Sequence, residues 1–157
     1  MILQRGITGK NHNVDDHFPK PAGKEFKQLC YTLIAQLDGR VLAFSEPQID
    51  TNYFHVELEV FKERLHLLLN ENHRYLAVAS EVDYFKLTFI DEPTLTRQFA
   101  PYYTVLQQAE LNERIQLRPG RKKGALLNEN DLCKEELVDL VYWNPKTVGQ
   151  AVFNHWD

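Results

Sequence analysis

Phe54-His55-Val56-Glu57-Leu58-Glu59-Val60-Phe61-Lys62-Glu63-Arg64-Leu65-His66-Leu67-Leu68-Leu69 decides the fold. Phe54, Val56, Leu58 and Val60 alternate with His55, Glu57 and Glu59, the two-residue period of a strand with one face in a core and the other in water. The second half is ambiguous. Leu65, Leu67 and Leu69 alternate with Arg64, His66 and Leu68, yet Phe61, Leu65, Leu68 and Leu69 also fit a helix. Pairing decides between them. A tight turn at Lys62-Glu63 sets Val60 opposite Leu65, Leu58 opposite Leu67 and Val56 opposite Leu69, so the apolar positions meet on one face and Glu59 faces His66. That turn lacks the Gly or Asn favoured in two-residue hairpins and is the weakest part of the scheme.

The same test extends outward. A loop at Asn70-Glu71-Asn72-His73 pairs Leu67 with Leu76 and Leu65 with Val78. A further loop through Ser80-Glu81-Val82-Asp83 pairs Val78 with Phe85 and Leu76 with Leu87, leaving Phe89 as the last inward residue, while Val41 to Phe44 supplies an edge strand. The sequence thus predicts an α+β fold: an antiparallel β-meander of about four to five strands with one face covered by helices. The chain closes on a C-terminal helical pair.

Phe26, Leu29, Cys30, Leu33, Ile34 and Leu37 recur at helical steps, with Gly39 placed to end the helix. Asp91 is read as the cap of a helix that has Pro93 in its first turn, and Pro101 as the start of another through Tyr103, Leu106 and Ala109. Asn130 or Asp131 opens a helix with Glu135 at its positive end and Cys133, Leu137, Leu140 and Val141 as its buried stripe. Asn144-Pro145 starts the last helix, which presents Val148, Val152 and Trp156. Turn formers crowd the stretch between Thr8 and Gly23, so residues 1–23 read as an irregular N-terminal arm of a single domain spanning 1–157.

At 157 residues, 43% hydrophobic and 25% charged, the chain can build a core without a metal or disulfide, and no cofactor is called for. Eighteen Lys plus Arg against 22 Asp plus Glu, net −4, argues against a general nucleic-acid binder. The two cysteines, Cys30 and Cys133, lack metal-site spacing and read as free buried thiols. No apolar run approaches the ~18 residues of a membrane span, and the first residues do not resemble a signal peptide, so no membrane association and a cytoplasmic location are expected.

Three constellations carry possible chemistry. The open sheet face displays His55, Glu57, Glu59, Arg64, His66, Tyr84 and Lys86, suited to a protein partner or simply to water. His55, His66 and Glu59 have the donor types of a two-His, one-carboxylate metal site, but nothing in the sequence makes them converge. Arg114, Arg118, Arg121, Lys122 and Lys123 place five cations and no acid within residues 114–123, an anion-binding loop next to Gly120 and Gly124 that is not a Walker A motif. The balancing reading is a solvated loop set against Glu129, Asp131, Glu135, Glu136 and Asp139. In the arm, His12, Asp15, Asp16 and His17 carry metal and acid/base donors at a spacing that matches no metal motif.

No Gly-x-Ser-x-Gly elbow or dinucleotide fingerprint occurs, and the only serines are Ser45 and Ser80. The expected function is therefore a non-catalytic cytoplasmic binding protein acting on a protein partner, of the bacterial immunity or antitoxin type by analogy of size and acidity. Two alternatives are a phosphate-ester or nucleotide-processing enzyme that joins the His/Asp arm to the basic loop, and weak RNA binding by that loop.

Overall fold

The computed structural model describes residues 1–9, 20–83, 86–118 and 126–156. Its elements run α1 (Gly23–Gln36), β1 (Arg40–Ser45), β2 (Tyr53–Val60), β3 (Glu63–Asn70), β4 (Tyr75–Asp83), β5 (Lys86–Phe89), α2 (Pro93–Phe99), β6 (Thr104–Val105), α3 (Gln108–Leu111), α4 (Lys134–Trp143) and α5 (Val148–Val152). β1 to β5 form an antiparallel meander in chain order, and β6 lies parallel to the start of β4. The α+β class, the meander and the C-terminal helices are as the sequence predicts.

The register differs by two residues. Leu58 faces Leu65, Val56 faces Leu67 and Phe54 faces Leu69, with Glu57 opposite His66 and Glu59 opposite Arg64. A two-residue shift keeps every side chain on its expected face, because the strand period is two. The cause is the turn: Phe61 and Lys62, both at positive φ (57° and 61°), form the corner, one position earlier than Lys62-Glu63. β3 and β4 shift likewise, Leu67 facing Val78 and Leu69 facing Leu76. At β4 and β5 the expectation fails outright. Ala79 faces Phe89 and Val82 faces Leu87, with a bulge between Ala79 and Glu81, so the region expected to be a loop is strand.

That bulge also changes the face. Phe26, Cys30, Leu33 and Ile34 of α1 and Leu95 and Phe99 of α2 pack on Val56, Leu58, Leu67 and Val78, the predicted core. Gly39 contributes by lacking a side chain rather than by unusual backbone: a Cβ there would lie 2.7 Å from the Glu59 carbonyl oxygen. Phe89 and Leu87, expected in the same layer, instead join a second core on the opposite face. Here Tyr53, Leu68, Ala77 and Ala79 are covered by Leu3, Ile7, Leu140, Val148 and Phe153. The second face is thus wet only over its near half, where burying apolar surface gives way to charge.

Other local readings shift for similar reasons. Glu92, not Asp91, caps α2, accepting from Leu95 N at 2.7 Å. No helix starts at Pro101; the chain turns and returns as β6, completing the edge of β4 that β5 leaves unpaired. Asn144 ends α4 in the left-handed conformation (φ 49°), and Thr147 caps α5. Cys30 is buried, whereas Cys133 is half-buried at the start of α4.

Residues 1–9 are irregular, as expected of the arm, but they are docked rather than peripheral: Leu3 and Ile7 are fully buried. Two buried polar anchors hold them. The Asn52 and Asn70 side-chain amides each donate to both the Ile7 and the Val152 carbonyls, at 2.8–3.0 Å, so the residue before β2 and the last residue of β3 hold both terminal segments at once. Glu136, wholly buried, accepts from Gly6 N, Thr8 N, Thr8 Oγ1 and Cys133 N at 2.6–3.2 Å. It belongs to the interior and not to an acidic surface that balances the basic loop.

Replacing the buried Glu136 by Ala leaves its four donors without their acceptor. We expect a loss of about 3–5 kcal/mol in denaturant unfolding, against less than ~0.5 kcal/mol for the exposed Lys134→Ala. Phe61→Asn with Lys62→Gly should do the reverse. Residues that tolerate positive φ relieve the corner by about 1 kcal/mol, raising Tm by roughly 2–4 °C in thermal unfolding.

Candidate functional site

Where the second core ends, β2 and β3 present imidazoles. His55 and His66 sit diagonally across the strand pair, His55 Nε2 lying 2.9 Å from His66 Nδ1. One nitrogen must donate and the other accept, so the contact requires that at least one ring be neutral. Burial is the main cause that lowers both pKa values from their ordinary 6.5; for His55 the charge of His66 adds to it, and Glu57 opposes it at both. The C-terminal tail adds a third ring, His155, whose Nδ1 lies 3.4 Å from the Tyr53 hydroxyl. Burial, aided by Asp50, pushes that phenol up to about 12, which keeps it protonated and able to donate.

Two clefts meet at His155. A cleft of about 300 Å³ is lined by Ser45, Thr51, Tyr53, His55, Asp83 and His155. The other, about 530 Å³, lies between Lys86, Trp143, Phe153, His155 and Trp156. The indoles of Trp143 and Trp156 are parallel, with centroids 6.3 Å apart and planes 2° apart. Trp143 ends α4, whose outer side exposes Val138 (48%), Val141 (42%) and Tyr142 (76%). Of the expected buried stripe Leu140 is buried but Val141 is exposed, and Glu136 takes the inward position beside Leu140.

The expected residues are distributed unevenly. His55, Glu57, Glu59, Arg64 and His66 do occupy the wet part of the sheet, whereas the bulge that turns Leu87 to the second core turns Lys86, its neighbour along β5, to the opposite face, and Tyr84 lies outside the described residues. Their charges pair among themselves or with neighbours: Arg64 with Glu57 and Arg40 with Glu59, each at 3.3 Å, and Lys86 with Glu81 at 3.5 Å. Exposed pairs of this kind contribute little stability. Glu59 is thereby turned to arginine and away from the imidazoles, and among the described residues no group of three His, Cys, Asp or Glu side chains can hold a metal ion.

Of the basic loop, Arg114 and Arg118 are exposed, and Arg114 lines a separate cleft of about 550 Å³ with Lys146. Arg121, Lys122 and Lys123 lie outside the described residues, as do His12, Asp15, Asp16 and His17. Sequence reasoning missed Tyr53 and His155 as neighbours of His55. The clue is the aromatic-rich ending Phe153-Asn154-His155-Trp156.

Comparison with protein-family models, curated proteins and solved structures gave no match to this chain. Among the described residues no helix is long and apolar enough to cross a membrane.

Because the fold disfavours the charged imidazoles, the unfolded chain binds more protons than the native one below the ordinary histidine pKa of 6.5. Stability should be intact above that pH and fall as pH drops through it. Urea unfolding at about pH 7.5 and about pH 5.5 should show this loss, and the double variant His55→Gln/His66→Gln should lose less over the same interval.

Proposed function

We propose that this chain is a non-catalytic, cytoplasmic binding protein whose partner is another protein, docked on the outer face of α4. The carrying observation is the exposed apolar stripe Val138, Val141 and Tyr142 on a helix whose inner side is anchored in the core. Such a stripe on a structured helix has the aromatic and aliphatic content of an interface centre. The net charge of −4 favours a basic partner, and acid-rich chains of this size suit the immunity or antitoxin role, in which complementary charge speeds capture of a toxin. The self-paired charges of the open sheet face fit the rim of such an interface better than its centre.

A second reading rests on the His55–His66 contact beside the smaller cleft. Two neutral imidazoles in reach of each other can relay a proton, so an acid/base enzyme is the competing class.

The test is co-purification with the product of the adjoining reading frame, using the wild-type chain and Val138→Glu/Tyr142→Glu. Both substituted residues are exposed, so the variant should keep its Tm, while affinity for the partner should fall about tenfold or more. Equal capture by both proteins, or capture by neither, overturns the assignment. Turnover of phosphate esters that disappears in His55→Gln moves it to the enzyme.

A further inference from the structure

The larger of the two clefts that meet at His155 has a chemistry of its own. At about 530 Å³ it is within the range of small-molecule sites, and it is walled by flat apolar surface from Trp143, Trp156 and Phe153. Its charged lining residue is Lys86, with Asn144, Gln150, the buried Asn154 and the half-buried His155 as further polar groups. No carboxylate lines it among the described residues. Lys86, on the edge strand β5, pairs with Glu81 at 3.5 Å across an exposed contact, the two side chains 68% and 50% exposed respectively. An ammonium held that loosely can turn to a ligand at little cost.

From this arrangement we propose that the cleft binds a small aromatic anion, its ring stacked on the Trp143/Trp156 indoles and its charged end at Lys86. Flat π-surface selects a planar guest, because stacking on an indole face adds to the area buried. A quaternary ammonium, the other guest aromatic walls commonly take, is disfavoured by the Lys86 charge. A bare inorganic anion would leave the indoles without a role. The shared chemistry is found in a nucleoside monophosphate and in an aromatic carboxylate, which differ in ring size and in the geometry of the charged group.

The chain supplies its own reporter, since its two tryptophans, Trp143 and Trp156, both line the cleft. Full-length protein is titrated with AMP, 4-hydroxybenzoate, adenosine, phenol and inorganic phosphate while indole emission is followed. Saturable quenching by AMP or 4-hydroxybenzoate is expected, roughly three- to tenfold tighter than by adenosine or phenol respectively. In Lys86→Gln, an exposed substitution that should leave Tm unchanged, that preference should vanish. Which anion binds identifies the source. Equal affinity for charged and neutral members overturns the proposal, as does phosphate binding as well as either anion, a preference that survives in Lys86→Gln, or the absence of saturable quenching by every probe. None of these outcomes bears on partner capture by α4, which is read out separately.

Discussion

Four hydrogen bonds at one end of the sheet organise this protein. The amides of Asn52, just before β2, and Asn70, at the end of β3, each spend both hydrogens on the same two carbonyls, Ile7 and Val152. Each carbonyl in turn uses both lone pairs. The amide oxygens are equally committed: that of Asn52 accepts from Asn154 N, and that of Asn70 from Asn72 N and His73 N. A buried polar group without partners is costly, and a half-completed network is worse than an apolar one. Both chain ends must therefore arrive together, so the arrangement favours one docking of the termini over the many that hydrophobic packing alone would allow.

Where the site lies follows from that closure. Val152 and Asn154 are fixed over β2 and β3, which leaves His155 and Trp156 beside Tyr53 and at the border of the second core. Glu136 fixes α4 through the N-terminal segment, and the far end of α4 brings Trp143 alongside Trp156. The near half of the sheet remains in water because no further chain covers it among the described residues. The imidazole pair thus sits between a dry core and a wet surface. There burial is enough to disfavour charge, and exposure is enough to let solvent protons reach the rings.

The first core was legible in the alternation of residues 54–69, since an error of two positions in the turn leaves the facing of Val56, Leu58, Leu65 and Leu67 unchanged. The turn itself was not legible. Phe61 and Lys62 adopt a conformation that ordinarily selects Gly or Asn, so their identities point away from it. Nor was the bulge near Ser80, which moves Phe89 and Leu87 to the other face by one residue of slippage. The polar anchors were hidden for a different reason. Asn70 and Asn72 read as loop formers and Glu136 as surface charge, because composition gives no sign that a polar side chain will meet buried partners from distant sequence. The imidazole pair was half legible: His55 and His66 were placed on one face, but the correct register makes them neighbours of each other, with Glu57 rather than Glu59 as the nearby acid.

The same competition between polar and apolar burial accounts for the outer face of α4. Leu137, Val138, Leu140, Val141, Tyr142 and Trp143 run almost all round this helix, and a helix apolar on every side is ordinarily enclosed. Hydrophobic content alone leaves its rotation undetermined. The carboxylate settles it: with four donors waiting in the interior, Glu136 faces inward, carrying Leu140 with it and turning Val138, Val141 and Tyr142 to solvent. Turning the helix to bury that stripe would expose Leu140 and abandon the anchor of the N-terminal segment. Apolar surface left in water by such a constraint can be removed only by something arriving from outside, with a gain of roughly 25 cal/mol for each Å² covered. The interior polar network and the exposed stripe are consequently two sides of one rotational choice.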